Sequence, residues 1–257
     1  MTKPNNYKQV TMKQLVDRKL EDIIGNQYLH AFYDVMSQIG EQYGPIIIKE
    51  GKDPFKKEIC ERNYVIYISF ILGCLHGKEI LGKEYVNGEI TKHFEDYSDK
   101  AKEAYEKFLK YRIMRKKGAT QNNNEKEEES QLKRINVRPD FVIHDSHKED
   151  YDTTGQKLVV EAKSTFYLDE LDFCWDLMKL NFYLDKLNFQ NCIYMIVNTS
   201  KADIKKMINL YTEEFNYFSN DLSKLWFFVQ NQDEEKMLPL ELYQLIELQI
   251  AESMCRL

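Results

Sequence analysis

Apolar residues recur at roughly helical spacing from Val10 to Gln38 (Leu15, Leu20, Ile23, Ile24, Leu29, Phe32, Met36), which predicts a helix that Gly40, Gly44 and Pro45 then break. Ile46–Ile48 is a short apolar run, either a strand or a turn. Asp53-Pro54 is a helix-start signal, and a helix is predicted from Pro54 to Leu81; the β-branched stretch Tyr64–Ile71 leaves a strand open there. A further helix is expected over Ile90–Arg115, with Phe94, Tyr97, Ala101, Ala104 and Phe108 on one side.

The pattern stops at Gly118–Ser130, which has almost no apolar residues and reads as a solvated loop or disordered insertion, flexible over 117–133. Beyond it the periods change. Asn136–His144 and Lys157–Lys163 are strand candidates, separated by a polar stretch carrying Gly155. Asp169–Leu187 predicts a long amphipathic helix with Leu171, Trp175, Met178 and Phe182 on one stripe. Cys192–Val197 is a buried strand, Lys201–Phe218 a helix, Leu225–Val229 a strand and Leu240–Met254 a closing helix. Strands alternating with helices in this order give an α/β fold with a mixed central sheet flanked by helices. Residues 1–53 are expected to form a helical N-terminal extension and 54–257 the core.

Composition changes this picture little. At 257 residues, 43% hydrophobic and 30% charged, the chain has enough apolar material for a full core. The five cysteines include no CxxC pair, which argues against structural zinc and fits free thiols in a reducing cytoplasm. Met1–Tyr7 is polar and does not read as a signal peptide, and the longest apolar run, Tyr64–Leu75, is too short for a membrane span. A net charge of −6 excludes a sequence-independent nucleic-acid coat but leaves room for a local basic groove.

The candidate chemistry lies in Arg138-Pro139-Asp140 and, about 20 residues on, Glu161-Ala162-Lys163. Glu161 and Lys163 are two apart, so a strand points both to one face while Ala162 points to the other. A hairpin from Asp140 to Lys163 brings Asp140 beside Glu161. Two adjacent carboxylates repel, which favours a divalent cation between them, and oxygen ligands suit Mg²⁺ or Mn²⁺ rather than zinc. A lysine beside that ion can orient or help deprotonate a water and offset developing phosphate charge.

This arrangement resembles the PD-(D/E)xK nuclease superfamily, the restriction-endonuclease-like fold, with the motif standing as Pro139-Asp140 and Glu161-Ala162-Lys163. The resemblance implies a Mg²⁺-dependent nuclease in which Asp140 and Glu161 ligate the metal, the Ala162 carbonyl is a further ligand, and Lys163 positions or activates the attacking water. It also implies a glutamate from the helix before the hairpin: Glu61, which shares a helical face with Val65, Ile68, Leu72 and Leu75, or else Glu58. Some branches carry Gln-x-x-x-Tyr on the next helix; here Lys179 and Tyr183 stand at that spacing, with lysine in place of glutamine. By the same resemblance the substrate is DNA rather than RNA, the setting restriction or defence, and the state a homodimer.

The remaining features leave alternatives open. Arg112, Arg115, Lys116 and Lys117 before the polar loop, and Lys133, Arg134 and Arg138 after it, form either a backbone clamp for nucleic acid or a solvated charge run. Lys179 and Tyr183 are nucleic-acid contacts or ordinary helix residues. Ser164 and Thr165 either donate to a phosphate or cap a loop, and His144 and His147 decorate the hairpin. A non-catalytic nucleic-acid- or protein-binding member of the fold, or an RNA-cleaving nuclease, is the alternative function.

Overall fold

A computed structural model describes residues 26–42, 85–88, 92–94, 98–117, 135–145, 155–164, 168–197, 199–233, 236–237 and 240–245. The expected helix from Pro54 to Leu81, the run Ile46–Ile48 and the polar loop Gly118–Ser130 lie outside the described residues, as does the expected helix after Leu245.

The described elements, in chain order, are α1 (Gln27–Gln42), β1 (Tyr85–Gly88), β2 (Lys92–Phe94), α2 (Asp99–Lys117), β3 (Ile135–Val137), β4 (Phe141–His144), β5 (Gln156–Ser164), α3 (Glu170–Leu187), β6 (Asn191–Val197), α4 (Lys201–Glu214), β7 (Leu225–Gln230), β8 (Gln232–Asp233), β9 (Lys236–Met237) and β10 (Glu241–Gln244). Six strands form one mixed sheet in the order β1-β4-β5-β6-β7-β10, with β5, β6 and β7 parallel and the outer pairings antiparallel. The fold is α/β, with helices on both faces of the sheet.

Alternation along β5 explains the layering. Leu158, Val160 and Ala162 face α1 and join Phe32, Ile193 and Phe228 in one apolar cluster. Val159 faces the other way, into the larger cluster formed with α2, α3 and α4. The segment expected as an N-terminal extension therefore supplies α1 to one layer of the sheet. The Asn26 side-chain Nδ2 also donates to Asn191 Oδ1 at 3.0 Å, tying the start of α1 to β6.

Element boundaries follow from caps and pairings that periodicity does not carry. Helix α1 starts at Gln27 because the Asn26 side chain accepts from the Tyr28 and Leu29 amides, and it runs past Gly40 to Gln42. Helix α2 starts at Asp99 rather than Ile90, since Ser98 caps it through the Ala101 amide, and Lys92–Phe94 pairs instead as a strand with Ile135–Val137. The expected strand Asn136–His144 is split by Pro139, which has no N–H to give a ladder, so β3 and β4 belong to different sheets. Helix α4 ends at Glu214, not Phe218: Asn216 adopts a left-handed φ of 46°, and both Phe215 and Asn216 donate to the Tyr211 carbonyl.

Two further corrections concern the outer strands. Tyr85–Gly88 is a strand that the sequence pattern did not announce. The expected closing helix is, over Glu241–Gln244, a strand antiparallel to β7. Leu242 and Tyr243 are buried on opposite faces of the sheet, which suits a strand pairing with an otherwise open edge.

Candidate active site

Asp140 sits immediately before β4. The register pairs Phe141 with Val160, so one step further sets Asp140 opposite Glu161. The Ala162 amide donates to Asp140 Oδ2 at 2.8 Å and fixes that carboxylate beside β5. The two acids of the motif and Lys163 are thereby brought together at one end of the β4–β5 hairpin. The opposite end of the hairpin is closed by Gly155, whose φ of 77° suits glycine and whose Cβ position would fall 2.6 Å from Asp145 Oδ2.

Helix α3 crosses this face and completes the site. Its Asp169 N-cap accepts from the Leu171 and Asp172 amides, which sets where the helix begins. The expected single apolar stripe is replaced by burial on nearly all sides, from Phe173 to Leu184, because α3 is covered by the sheet on one side and by α2 and α4 on the other. Asp176, Lys179 and Tyr183, spaced three and four apart, share the face turned to β5.

The result is a buried ionic cluster. The Lys179 ammonium donates to Glu161 Oε2 at 2.5 Å and lies 2.8 Å from Asp176 Oδ1. The Tyr183 hydroxyl donates to Glu161 Oε1 at 2.9 Å, and the Tyr194 hydroxyl to Asp176 Oδ2 at 3.2 Å. Lys163 Nζ lies 3.3 Å from Asp176 Oδ2. Tyr194 is aligned with Glu161 across the parallel β5–β6 pair, which is why it reaches the same cluster. Glu161 is entirely shut from solvent, and Lys163 keeps about a fifth of its side-chain exposure (19%).

Electrostatics follow from this burial. Burial pushes the Glu161 carboxyl well above the ordinary range; Lys179 opposes that push, and the neighbouring Asp176 and Asp140 add to it. Burial also raises Asp140, only partly offset by the Ala162 N–H and by Lys179. Burial works against the Lys179 ammonium, but Asp176 and Glu161 outweigh it and hold its pKa above the usual lysine value. Tyr183 is raised far above an ordinary phenol by burial and by Glu161, so it stays a donor. Three carboxylates against two ammonium groups leave one formal negative charge in the cluster.

The expected residues therefore separate into groups. Asp140, Glu161 and Lys163 are brought together. Lys179 and Tyr183, expected at a nucleic-acid surface, are buried and turn to Glu161 instead, because an apolar helix face can hold a lysine only where carboxylates compensate it. Arg115 is partly exposed at 43% and pairs with Glu170 at 3.0 Å, at the start of α3. Arg138 is exposed, two residues before Asp140. His144 is buried, its Nδ1 against the Asp145 carbonyl at 2.7 Å. Glu61, Glu58, Arg134, Lys133, Thr165 and His147, and the side chains of Lys116, Lys117 and Ser164, lie outside the described residues.

Asp176 is the site residue that sequence reasoning missed. Its signal was present: an acid three residues before Lys179, within a helix otherwise apolar from Phe173 to Phe182 save Asn181.

The donor set suits a hard divalent ion in kind, being made of carboxylate oxygens and backbone. Its arrangement is another matter. Both Glu161 oxygens accept from Lys179 and Tyr183, and among the described residues no three of His, Cys, Asp and Glu are grouped so as to hold a metal. Among the described residues no helix is long and apolar enough to cross a membrane. No family model, curated protein or solved structure matches the chain.

Proposed function

We propose that the chain is a divalent-metal-dependent nuclease of the PD-(D/E)xK type, hydrolysing phosphodiester bonds of DNA in preference to RNA, in a restriction or defence setting. The observation that carries the reading is the placing of Asp140, immediately before β4, beside Glu161 of the antiparallel strand β5, with Lys163 on the same face of β5 as Glu161. The succession β4, β5, α3, β6, with β6 parallel to β5, supports it as the element order expected around the motif.

In this reading Asp140, Glu161 and the Ala162 carbonyl hold Mg²⁺ or Mn²⁺. A bound ion supplies Lewis-acid polarisation of the phosphoryl oxygen and a more acidic water. Lys163, partly exposed and held by Asp176, orients the attacking water and offsets charge on the phosphate. Arg138, exposed beside Asp140, contacts the substrate backbone.

The test is incubation of plasmid, linear duplex, single-stranded DNA and RNA, each with Mg²⁺ or Mn²⁺. Cleavage that Asp140→Ala and Lys163→Ala abolish is the expected result. No cleavage of any substrate, or a Lys163→Ala variant as active as wild type, sinks the reading. One observation favours a second reading, a non-catalytic binding member of the same fold: both oxygens of Glu161 are already taken by the chain's own donors.

A further inference from the structure

We infer that Lys179 is the resident cation of this site and competes with a divalent ion for Glu161 and Asp176, so that tight ion binding requires the Lys179 ammonium to leave. The wild-type half of this inference rests on the metal-dependent reading above. Lys179 Nζ stands 2.5 Å from Glu161 Oε2 and 2.8 Å from Asp176 Oδ1, bridging carboxylates from a strand and a helix as a small cation does. It sits at the same carboxylate that the metal reading needs.

Charge decides the competition. With Lys179 in place the cluster carries one excess negative charge, and a divalent ion added to it leaves a surplus of one positive charge. With Lys179 withdrawn, the same ion leaves Asp140, Glu161, Asp176 and Lys163 neutral as a set. In a buried setting the neutral arrangement wins, since like charges repel strongly where water is excluded. Lysine is suited to the exchange: its charge is a single point on a flexible four-carbon stem, and it can withdraw without dismantling a planar hydrogen-bond fork. A glutamine at this position keeps a donor toward Glu161 and carries no charge.

The experiment measures Mn²⁺ binding by titration calorimetry and by the Mn²⁺ paramagnetic resonance signal, on wild type, Lys179→Gln and Lys179→Arg. The expected result is binding at least about tenfold tighter in Lys179→Gln than in wild type, and no tightening in Lys179→Arg, which keeps the charge. Equal or weaker binding in Lys179→Gln overturns the inference, as does tightening by Lys179→Arg to the same degree. Thermal unfolding in EDTA and in Mn²⁺ gives the second measurement: Lys179→Gln gains more from Mn²⁺ than wild type does. If Lys179→Gln is unfolded in EDTA, refolding on addition of Mn²⁺ supports the inference and failure to refold overturns it. The two readings fail differently. A wild type that neither binds Mn²⁺ nor cuts, beside a Lys179→Gln that binds, keeps the inference and removes the nuclease. A wild type that binds and cuts, beside a Lys179→Gln that binds no better, does the reverse.

Discussion

The two faces of β5 are built from alternate residues of one strand and obey opposite rules. Toward α1, Leu158, Val160 and Ala162 meet Phe141, Ile193, Met195 and Phe228, with Phe32 packed 5.6 Å from the Phe228 ring. Nothing on that face needs a partner of particular charge; it is held by area removed from water and by close packing. Toward α3, the same strand presents Glu161 and Lys163 among Asp176, Lys179, Tyr183 and Tyr194. Charges taken out of water seldom repay their desolvation, so that face is more costly than an apolar one of equal volume. A fold needs the first face. The second is not required to bury apolar surface, and its presence is the physical ground for looking there for chemistry.

The largest effect should come from breaking the charged face at one point. Lys179→Met leaves Glu161 and Asp176 buried without their shared cation and should destabilise by about 3–5 kcal/mol. Adding Glu161→Leu removes one of those acids, and the double variant should recover much of that loss, as buried ion pairs often do when replaced by apolar residues. Urea unfolding of both variants checks this; a double variant as unstable as the single one contradicts the idea that the charges are costly. On the apolar face, Ile193→Ala should cost about 2–5 kcal/mol through lost burial and a cavity, with no second-site charge change able to restore it. A difference between the two faces in rescue, rather than in the size of the single losses, is what separates them.

A third comparison uses pH. Glu161 has a folded-state pKa raised by burial, so the folded chain holds that proton to higher pH than the unfolded chain does. Its contribution is therefore full below the ordinary carboxylate pKa and is lost as pH rises from there through the folded value. Asp140 shifts in the same direction. Glu161→Gln in EDTA should accordingly flatten the fall of stability with rising pH above the ordinary carboxylate range, while Ile193→Ala leaves the slope unchanged. Unfolding free energies at several pH values read this directly; a Glu161→Gln slope equal to wild type refutes it.

The apolar face was far more legible in the sequence than the charged one. Leu158–Val160, Cys192–Val197 and Leu225–Val229 announce buried strands because a strand covered on both faces reads as a continuous apolar run. Asp140, Glu161 and Lys163 were legible too, since strand alternation and a hairpin fix their relation locally. What failed was whatever depended on a distant partner. Glu241–Gln244 reads as helix until β7 offers it an edge. Lys92–Phe94 reads as part of a helix until Ile135–Val137 pairs with it across the segment between. Lys179 looked like a surface lysine because nothing in its own helix reveals that Glu161 lies against it. Asp176 is legible only as a helical neighbour of Lys179; its contacts with Lys163 and Tyr194, which place it in the site, come from two other elements.

The smallest expected effect is a control on the same helix. Asp169 carries a charge at the exposed start of α3, where its side chain accepts from the Leu171 and Asp172 amides. Being in water, it incurs little desolvation and needs no compensating cation; its value is that of a cap and of a negative charge near the positive end of the helix dipole. Asp169→Ala should cost about 1 kcal/mol, well below the loss from Lys179→Met nearly three turns further along. The partner test sharpens the contrast. Arg115 lies 3.9 Å from Asp169 and closer to Glu170, and exposed pairs of this kind contribute little. Arg115→Gln should therefore leave the cost of Asp169→Ala nearly unchanged, whereas Glu161→Leu should transform the cost of Lys179→Met. A strong coupling between Arg115 and Asp169 in a double-mutant cycle, comparable to that between Glu161 and Lys179, would show that burial is not what distinguishes the two ends of α3.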